Sequence, residues 1–237
     1  MVETILLDCG GVMGRPFTGT WVVPRNFHAL MDGYLQGISS DAHKLAREKA
    51  LDILHADHHL YTEEVEFEQM RKFFADCYCG FLGLDIPEET LDALARAQVY
   101  DNGRFVFYDD VLPVLQKWQG KYKLGIVSDT HPALRRIMRA HGSLQMFDIV
   151  SLSCDNGTLK PDARMYEVAL QGLDANPETT IFVDDLEKNL RGAEKLGIRG
   201  VKIARDVYTD DPILAESSWQ GAFVRSLAEL DEILATL

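Results

Sequence analysis

Four short segments carry groups that could do chemistry. An apolar run, Thr4-Ile5-Leu6-Leu7, ends in Asp8 and is followed by Cys9, Gly10 and Gly11. A second run, Leu124-Gly125-Ile126-Val127, ends in Ser128 and Asp129. Lys160 and Pro161 stand just before a helix-shaped segment. A third run, Ile181-Phe182-Val183, ends in Asp184 and Asp185, with Asn189 four residues on. A carboxylate can attack phosphorus and split one hard displacement into two easier ones. A hydroxyl and an ammonium can hold the transferring group and offset its developing charge. Adjacent carboxylates repel unless a divalent cation relieves them, and Mg²⁺ favours a few carboxylates plus water. The segments therefore make a phosphate-sized site at the carboxyl ends of buried strands, the edge where open α/β sheets bind ligands.

In this order, Asp8, Ser128, Lys160 and the Asp184-Asp185 pair resemble the motifs of the haloacid dehalogenase superfamily, a group of mostly Mg²⁺-dependent phosphatases and related hydrolases. The resemblance runs from Asp8 to Asn189. It implies an α/β fold, a doubly wound parallel sheet of Rossmann-like type, with a small α-helical cap inserted after the first motif. It implies that Asp8 is the nucleophile and also a ligand of Mg²⁺. Asp185 corresponds to the family's principal metal aspartate and Asp184 to a position that varies. The main-chain carbonyl of Gly10 would complete the protein ligands, and Asn189 would orient them. Ser128 and Lys160 would bind the phosphoryl group, with Gly11 and Asp129 as further substrate contacts. Arg15, just past the first motif, reads either as a loop residue that reaches the substrate or as an ordinary exposed arginine.

Gly10 departs from the pattern. Most phosphatases of the superfamily carry a second Asp there, which protonates the leaving oxygen and later activates water. Glycine can do neither, and a positioned acid or base is worth about 10²–10⁴ in rate. Three explanations stay open. The leaving group departs unprotonated; or Asp129, His131 or a group from the cap supplies the proton; or the protein binds a phosphorylated ligand without turning it over. Asp129 also replaces the commoner amide, and a negative charge beside phosphate is unwelcome unless protonated, turned away or hydrogen-bonded. The leading reading is a phosphatase acting on a small phosphorylated metabolite through an aspartyl phosphate on Asp8. The alternatives are a dehalogenase that attacks carbon through Asp8, and a non-catalytic phospholigand-binding or regulatory protein. Haloacid dehalogenases lack the second Asp too, but usually carry an aromatic residue there.

The elements that must position these groups follow from periodicity. Buried strands are expected over 4–8, 123–128, 148–152, 180–184 and 200–203, and helices over 110–119, 132–141, 162–171 and 187–196. Such alternation predicts a parallel sheet covered on both faces. Gly172 and Gly197 read as left-handed helix ends. The stretch 15–100 breaks the alternation with helical patterns near 41–55, 62–78 and 87–99, the last preceded by a capping box of Asp85 and Glu88. The expected division is a core of 1–14 and 101–237 and a cap of 15–100, with a last helix over 227–234. Trp21, Phe27 and Tyr34 read as cap core, with lining of the cap pocket as the weaker reading, and His55, His58 and His59 as a helix-end cluster with a weaker metal-binding reading.

A chain of 237 residues suits one domain plus an insertion. The net charge of -13 argues against nucleic acid or an anionic membrane as partner. No apolar run spans a bilayer and no signal peptide stands at Met1. Cys9, Cys77, Cys79 and Cys154 form no Cys-x-x-Cys pair, and Cys9 reads as a core filler. A cytoplasmic monomer or homodimer with a small phosphorylated substrate is the expectation.

Overall fold

The computed structural model describes residues 1–56, 59–205 and 218–237. Six strands form one parallel sheet: β1 (Thr4–Leu7), β4 (Lys123–Ser128), β5 (Ile149–Leu152), β6 (Thr180–Asp184), β7 (Arg199–Ile203) and β8 (Ala222–Val224), in the order β5-β4-β1-β6-β7-β8. The five expected strands are all present. The sixth, β8, is only three residues long and shows no alternation to read.

Successive side chains on a strand point to opposite faces, and β1 shows it. Ile5 and Leu7 join one apolar cluster with α5 (Val111–Trp118), α6 (Ala133–His141) and α10 (Leu227–Ile233). Leu6 joins another with α8 (Ala163–Leu173) and α9 (Glu187–Glu194). Both faces are therefore covered. A single turn, α7 (Ser153–Asn156), follows β5. β1 lies between β4 and β6, with Leu7 level with Ile126 and Val183. That register delivers Asp8, Ser128 and Asp184 to one edge of the sheet.

Two local expectations fail for tertiary reasons. Gly172 lies inside α8 rather than at its end, and Asp174 takes the left-handed conformation, with φ 46°. A β-carbon at Gly172 would overlap Ile149 of β5, so this glycine serves close helix–sheet packing. The Asp85 capping box does not form: Pro87 is the N-cap of α4 (Glu88–Tyr100), and Glu88 pairs with Arg71 instead. Gly197 is left-handed as expected.

The described residues of 15–100 contribute no strand to the main sheet. They form α1 (Phe27–Met31), α2 (Ser40–Ala56), α3 (Glu63–Phe74) with a π-helical continuation over Ala75–Phe81, and α4. Their apolar side chains, among them Phe27, Met31, Phe73, Phe74 and Leu94, pack into a cluster of their own. The one buried residue of that cluster from elsewhere is Ala133, at the first turn of α6. Both chain crossings into this helical layer are tied together, because β2 (Gly14–Pro16) pairs antiparallel with β3 (Phe105–Phe107). Among the described residues no helix is long and apolar enough to cross a membrane.

Candidate active site

The floor of the site is a network of buried charges. Asp8, just past β1, donates its backbone N–H to the Val183 carbonyl at 3.0 Å. Lys160 is 3 % exposed, and its Nζ lies 2.8 Å from Asp8 Oδ1 and 2.8 Å from Asp184 Oδ2. The contact with Asp184 is a hydrogen bond; the one with Asp8 has the distance but not the angle, so Asp8 Oδ1 remains without a donor. Asp184 also accepts from Asn189 Nδ2, at 3.1 and 3.0 Å, and from the Leu186 N–H at 2.8 Å. Buried carboxylates need such partners. Asn189 is thus placed by α9 to orient Asp184, while its own Oδ1 is a buried acceptor without a partner.

Oxygens of Asp8, Asp184 and Asp185 lie within 4.8 Å of one another. Burial raises the pKa of Asp185 above the usual carboxylate range, and the charges of Asp184 and Asp8 push it further up. Burial acts the same way on Asp184, with Lys160 opposing. For Lys160, burial alone would lower the pKa; Asp184, Asp8 and Asp129 outweigh it and hold the ammonium charged. Three carboxylates facing one cation leave surplus negative charge. An all-oxygen donor set with that surplus fits a hard divalent cation such as Mg²⁺. Asp8 and Asp185 are the freer ligands, since Asp184 already accepts three sets of hydrogen bonds.

The loop after β1 must approach this cluster closely. Gly11 has φ +71°, a conformation that favours glycine, and a β-carbon there would overlap Asp185 Oδ2. At Gly10 a β-carbon would meet the Trp21 ring at 3.1 Å. The indole thus stands where a side chain at position 10 would project. Ser128 is 2 % exposed. Cys9 is part of the main core, and burial, then Asp8, pushes its thiol pKa up, so it stays protonated. Asp129 is hydrogen-bonded: its Oδ1 accepts from the Lys160 backbone N–H at 2.8 Å, which fixes the lysine's loop.

These groups line a cavity of ≈ 340 Å³. Asp8, Gly10, Gly11, Ser128, Asp129, Lys160, Asp185 and Asn189 all reach it. Its upper wall is Trp21, Arg104, Phe105, Leu134 and Ile137. Arg15 does not line it; it lies in β2, opposite Val106. Nor does His131. Trp21, expected in the cap core, is 45 % exposed at the cavity wall, whereas Phe27 is buried as expected and Tyr34 packs at the margin of its cluster. Arg104 is a wall residue that the motifs do not single out. It follows a turn in which Asp101 accepts from the Gly103 N–H at 2.8 Å, and a basic residue at the return crossing to the sheet is the one sequence signal that points to it.

Polar contacts join the helical layer to this region. Glu66 of α3 is 1 % exposed, and its Oε2 accepts from the Ala133 N–H at the start of α6 at 2.8 Å. Its Oε1 lies 3.5 Å from Arg104 Nη2. Burial raises its pKa to about 7, against the opposing pull of Arg104. Beside it, Arg136 of α6 grips both oxygens of Glu63 at 3.0 Å. Of the histidine cluster, His58 and the His55 side chain lie outside the described residues; His59 Nδ1 bonds the Tyr61 hydroxyl at 2.9 Å.

The sheet, the order of its catalytic-edge residues and the buried Lys–Asp network define a haloacid dehalogenase-type core. The chain belongs to the haloacid dehalogenase-like hydrolase family, whose model matches residues 3–197. It is 25 % identical to the GMP/IMP nucleotidase YrfG of Escherichia coli, over 92 % of this chain and 89 % of that protein. It is 32 % identical to the glyceraldehyde 3-phosphate phosphatase of Methanopyrus kandleri, over 54 % of this chain and 57 % of the relative, so the match covers little more than half of that enzyme. A haloacid dehalogenase-type phosphatase structure from Thermococcus onnurineus shares the fold with a TM-score of 0.64 at 24 % identity, covering 98 % of both chains.

Proposed function

We propose that the protein is a Mg²⁺-dependent phosphatase of a small phosphorylated metabolite. The observation that carries this is the Lys160 ammonium set between Asp8 and Asp184 in a cluster of three carboxylates. Such a floor suits a dianionic phosphoryl group and a divalent cation better than a lone halide. Phosphatases among the relatives support the same reading.

In this mechanism an Asp8 carboxylate oxygen attacks phosphorus; the Asp8 O–P bond forms as the P–O bond to the leaving group breaks. Lys160 and Ser128 hold the phosphoryl oxygens. Water then forms a new P–O bond and releases the Asp8 carboxylate. Asp8 and Asp185, with Asp184 and the Gly10 carbonyl, would hold Mg²⁺, which when bound neutralises the charge on the transferring group. Asn189 keeps Asp184 oriented. Gly10 offers no proton, so the leaving oxygen departs with its charge or takes a proton from solvent. Residues 15–100 serve as a cap whose Trp21 closes one side of the cavity. Four free cysteines and the acidic charge suit a cytoplasmic protein.

One observation favours a dehalogenase instead: the Trp21 ring makes the wall beside Gly10 aromatic. The two readings separate in one assay. Phosphate release from a panel of phosphate monoesters, and halide release from chloropropionate, are measured with Mg²⁺ and with EDTA. Phosphate release that needs Mg²⁺ is expected. Full activity in EDTA, or halide release alone, would overturn the phosphatase reading.

A further inference from the structure

We infer that Arg104 determines specificity in this cavity by binding a second anionic group, carried on the leaving-group part of the substrate. This rests on the phosphatase reading and goes further, naming the substrate class: small phosphate monoesters whose alcohol bears its own negative charge.

A guanidinium has five N–H donors in a planar fork. The side chain of Arg104 is 15 % exposed and lines the cavity, yet its one hydrogen bond among the described residues is to Glu66 Oε1, at 3.5 Å. Its Nε is buried with no acceptor. That atom is closed off, so a ligand in the cavity meets the terminal Nη groups, whose one 3.5 Å bond to Glu66 leaves donors to offer. Burial pushes the guanidinium pKa down, and Glu66 is the chief charge opposing it.

The acceptor for these donors is not the transferring phosphate. Lys160 and Ser128 already serve that group from the floor. The other side chains of the upper wall are apolar: Trp21, Phe105, Leu134 and Ile137. A fitting ligand therefore has phosphate at one end, a compact carbon body and an anion at the other. At ≈ 340 Å³ the cavity lies near the lower end of small-molecule sites, roughly 300–1,000 Å³, which keeps that body short. Glu66 positions the fork. Its Oε2 is committed to the Ala133 N–H, so only Oε1 reaches Arg104, which leaves the other donors for the ligand. Carboxylate and phosphate both accept such a fork.

The test uses matched esters: O-phosphoserine against O-phosphoethanolamine, and propanediol bisphosphate against the monophosphate. In the parent protein the acidic member of at least one pair should be favoured by about 10- to 100-fold in kcat/KM, mainly through KM, as expected for a charge-assisted hydrogen bond. The first pair responding assigns the anion as a carboxylate, the second as a phosphate. R104Q should erase the preference. R104K, which keeps the charge but loses the fork, should retain part of it. Equal kcat/KM within both pairs for the parent, or an unchanged preference in a folded R104Q, overturns the assignment. If no ester is hydrolysed, the phosphatase reading fails on its own. Calorimetric binding of the same four compounds then decides on Arg104: a loss of affinity for the acidic members in R104Q supports it, and equal affinities overturn it.

Discussion

The floor and the upper wall of the cavity are built on opposite plans. Floor groups are held by one another and leave only acceptors over: Lys160 lies between Asp8 and Asp184, Asn189 and the Leu186 N–H hold Asp184, and Asp8 Oδ1 and Asn189 Oδ1 stay without donors. The wall offers an indole that is 45 % exposed and a guanidinium with a buried, unpaired Nε. A floor that needs no rearrangement suits chemistry, where groups must be aimed before the reaction begins. Loosely held side chains suit recognition, where the ligand completes the bonding. Substitutions on the two sides should therefore fail differently.

The largest effect is expected on the floor. Asp8→Asn keeps the shape but removes the proposed nucleophile, and phosphate release should fall by at least about 10³-fold with the circular dichroism spectrum unchanged. A folded Asp8→Asn protein that kept most of its activity would sink the aspartyl-phosphate mechanism. Lys160→Ala should come next. It leaves two buried carboxylates facing each other and should cost about 3–5 kcal/mol in urea unfolding, part of it recovered by Mg²⁺. Little loss of stability would mean that the floor is not held by this pair.

Glu66 tests the joint between wall and core. Its folded pKa, about 7, is raised above the ordinary 4.5 by burial. The unfolded chain releases this proton first as pH rises. Glu66 therefore contributes stability that is fully present below about 4.5 and lost as pH rises through about 7. Glu66→Gln does not titrate. The stability of the parent relative to this variant should fall by about 1–3 kcal/mol between pH 4.5 and pH 7. Parallel stability curves for the two proteins would show that Glu66 is not held in this environment.

The smallest effect belongs to the seam at Gly10. Without an acid there, aryl phosphates should react much faster than alkyl phosphates. Gly10→Asp should raise alkyl turnover by about tenfold, a fraction of what a well-placed acid delivers, because the Trp21 ring must give way. Similar rates for aryl and alkyl esters in the parent would point to a substitute acid already in place.

Much of the floor is legible in the order of the amino acids. Long apolar runs such as Ile181-Phe182-Val183 can only be buried on both faces, so the polar residue that ends each run emerges at a sheet edge. Asp8, Ser128 and Asp184 come together on that logic, with Asp185 next in sequence; Lys160 and Asn189 end no such run and are legible only through the family resemblance. The wall is not legible in the same way. Trp21 and Arg104 reach the cavity because Gly14–Pro16 pairs with Phe105–Phe107, and three-residue strands carry no readable alternation. Arg15, beside the first motif in sequence, is held in that ribbon away from the cavity. At Gly172 a local helix-end signal gives way to packing against Ile149, and Asp174 accepts the left-handed turn instead.

The placement of Trp21 also makes the protein its own optical reporter. The chain has three tryptophans. Trp118 is buried at the end of α5 with its Nε1–H bonded to Asp231, and Trp219 packs beside Gly200 at the far side of the sheet. Only Trp21 faces the cavity. A ligand that enters must displace water from this indole, so its emission should shift in wavelength or intensity. Binding can then be followed by intrinsic fluorescence with no label and no turnover, even in the Asp8→Asn protein.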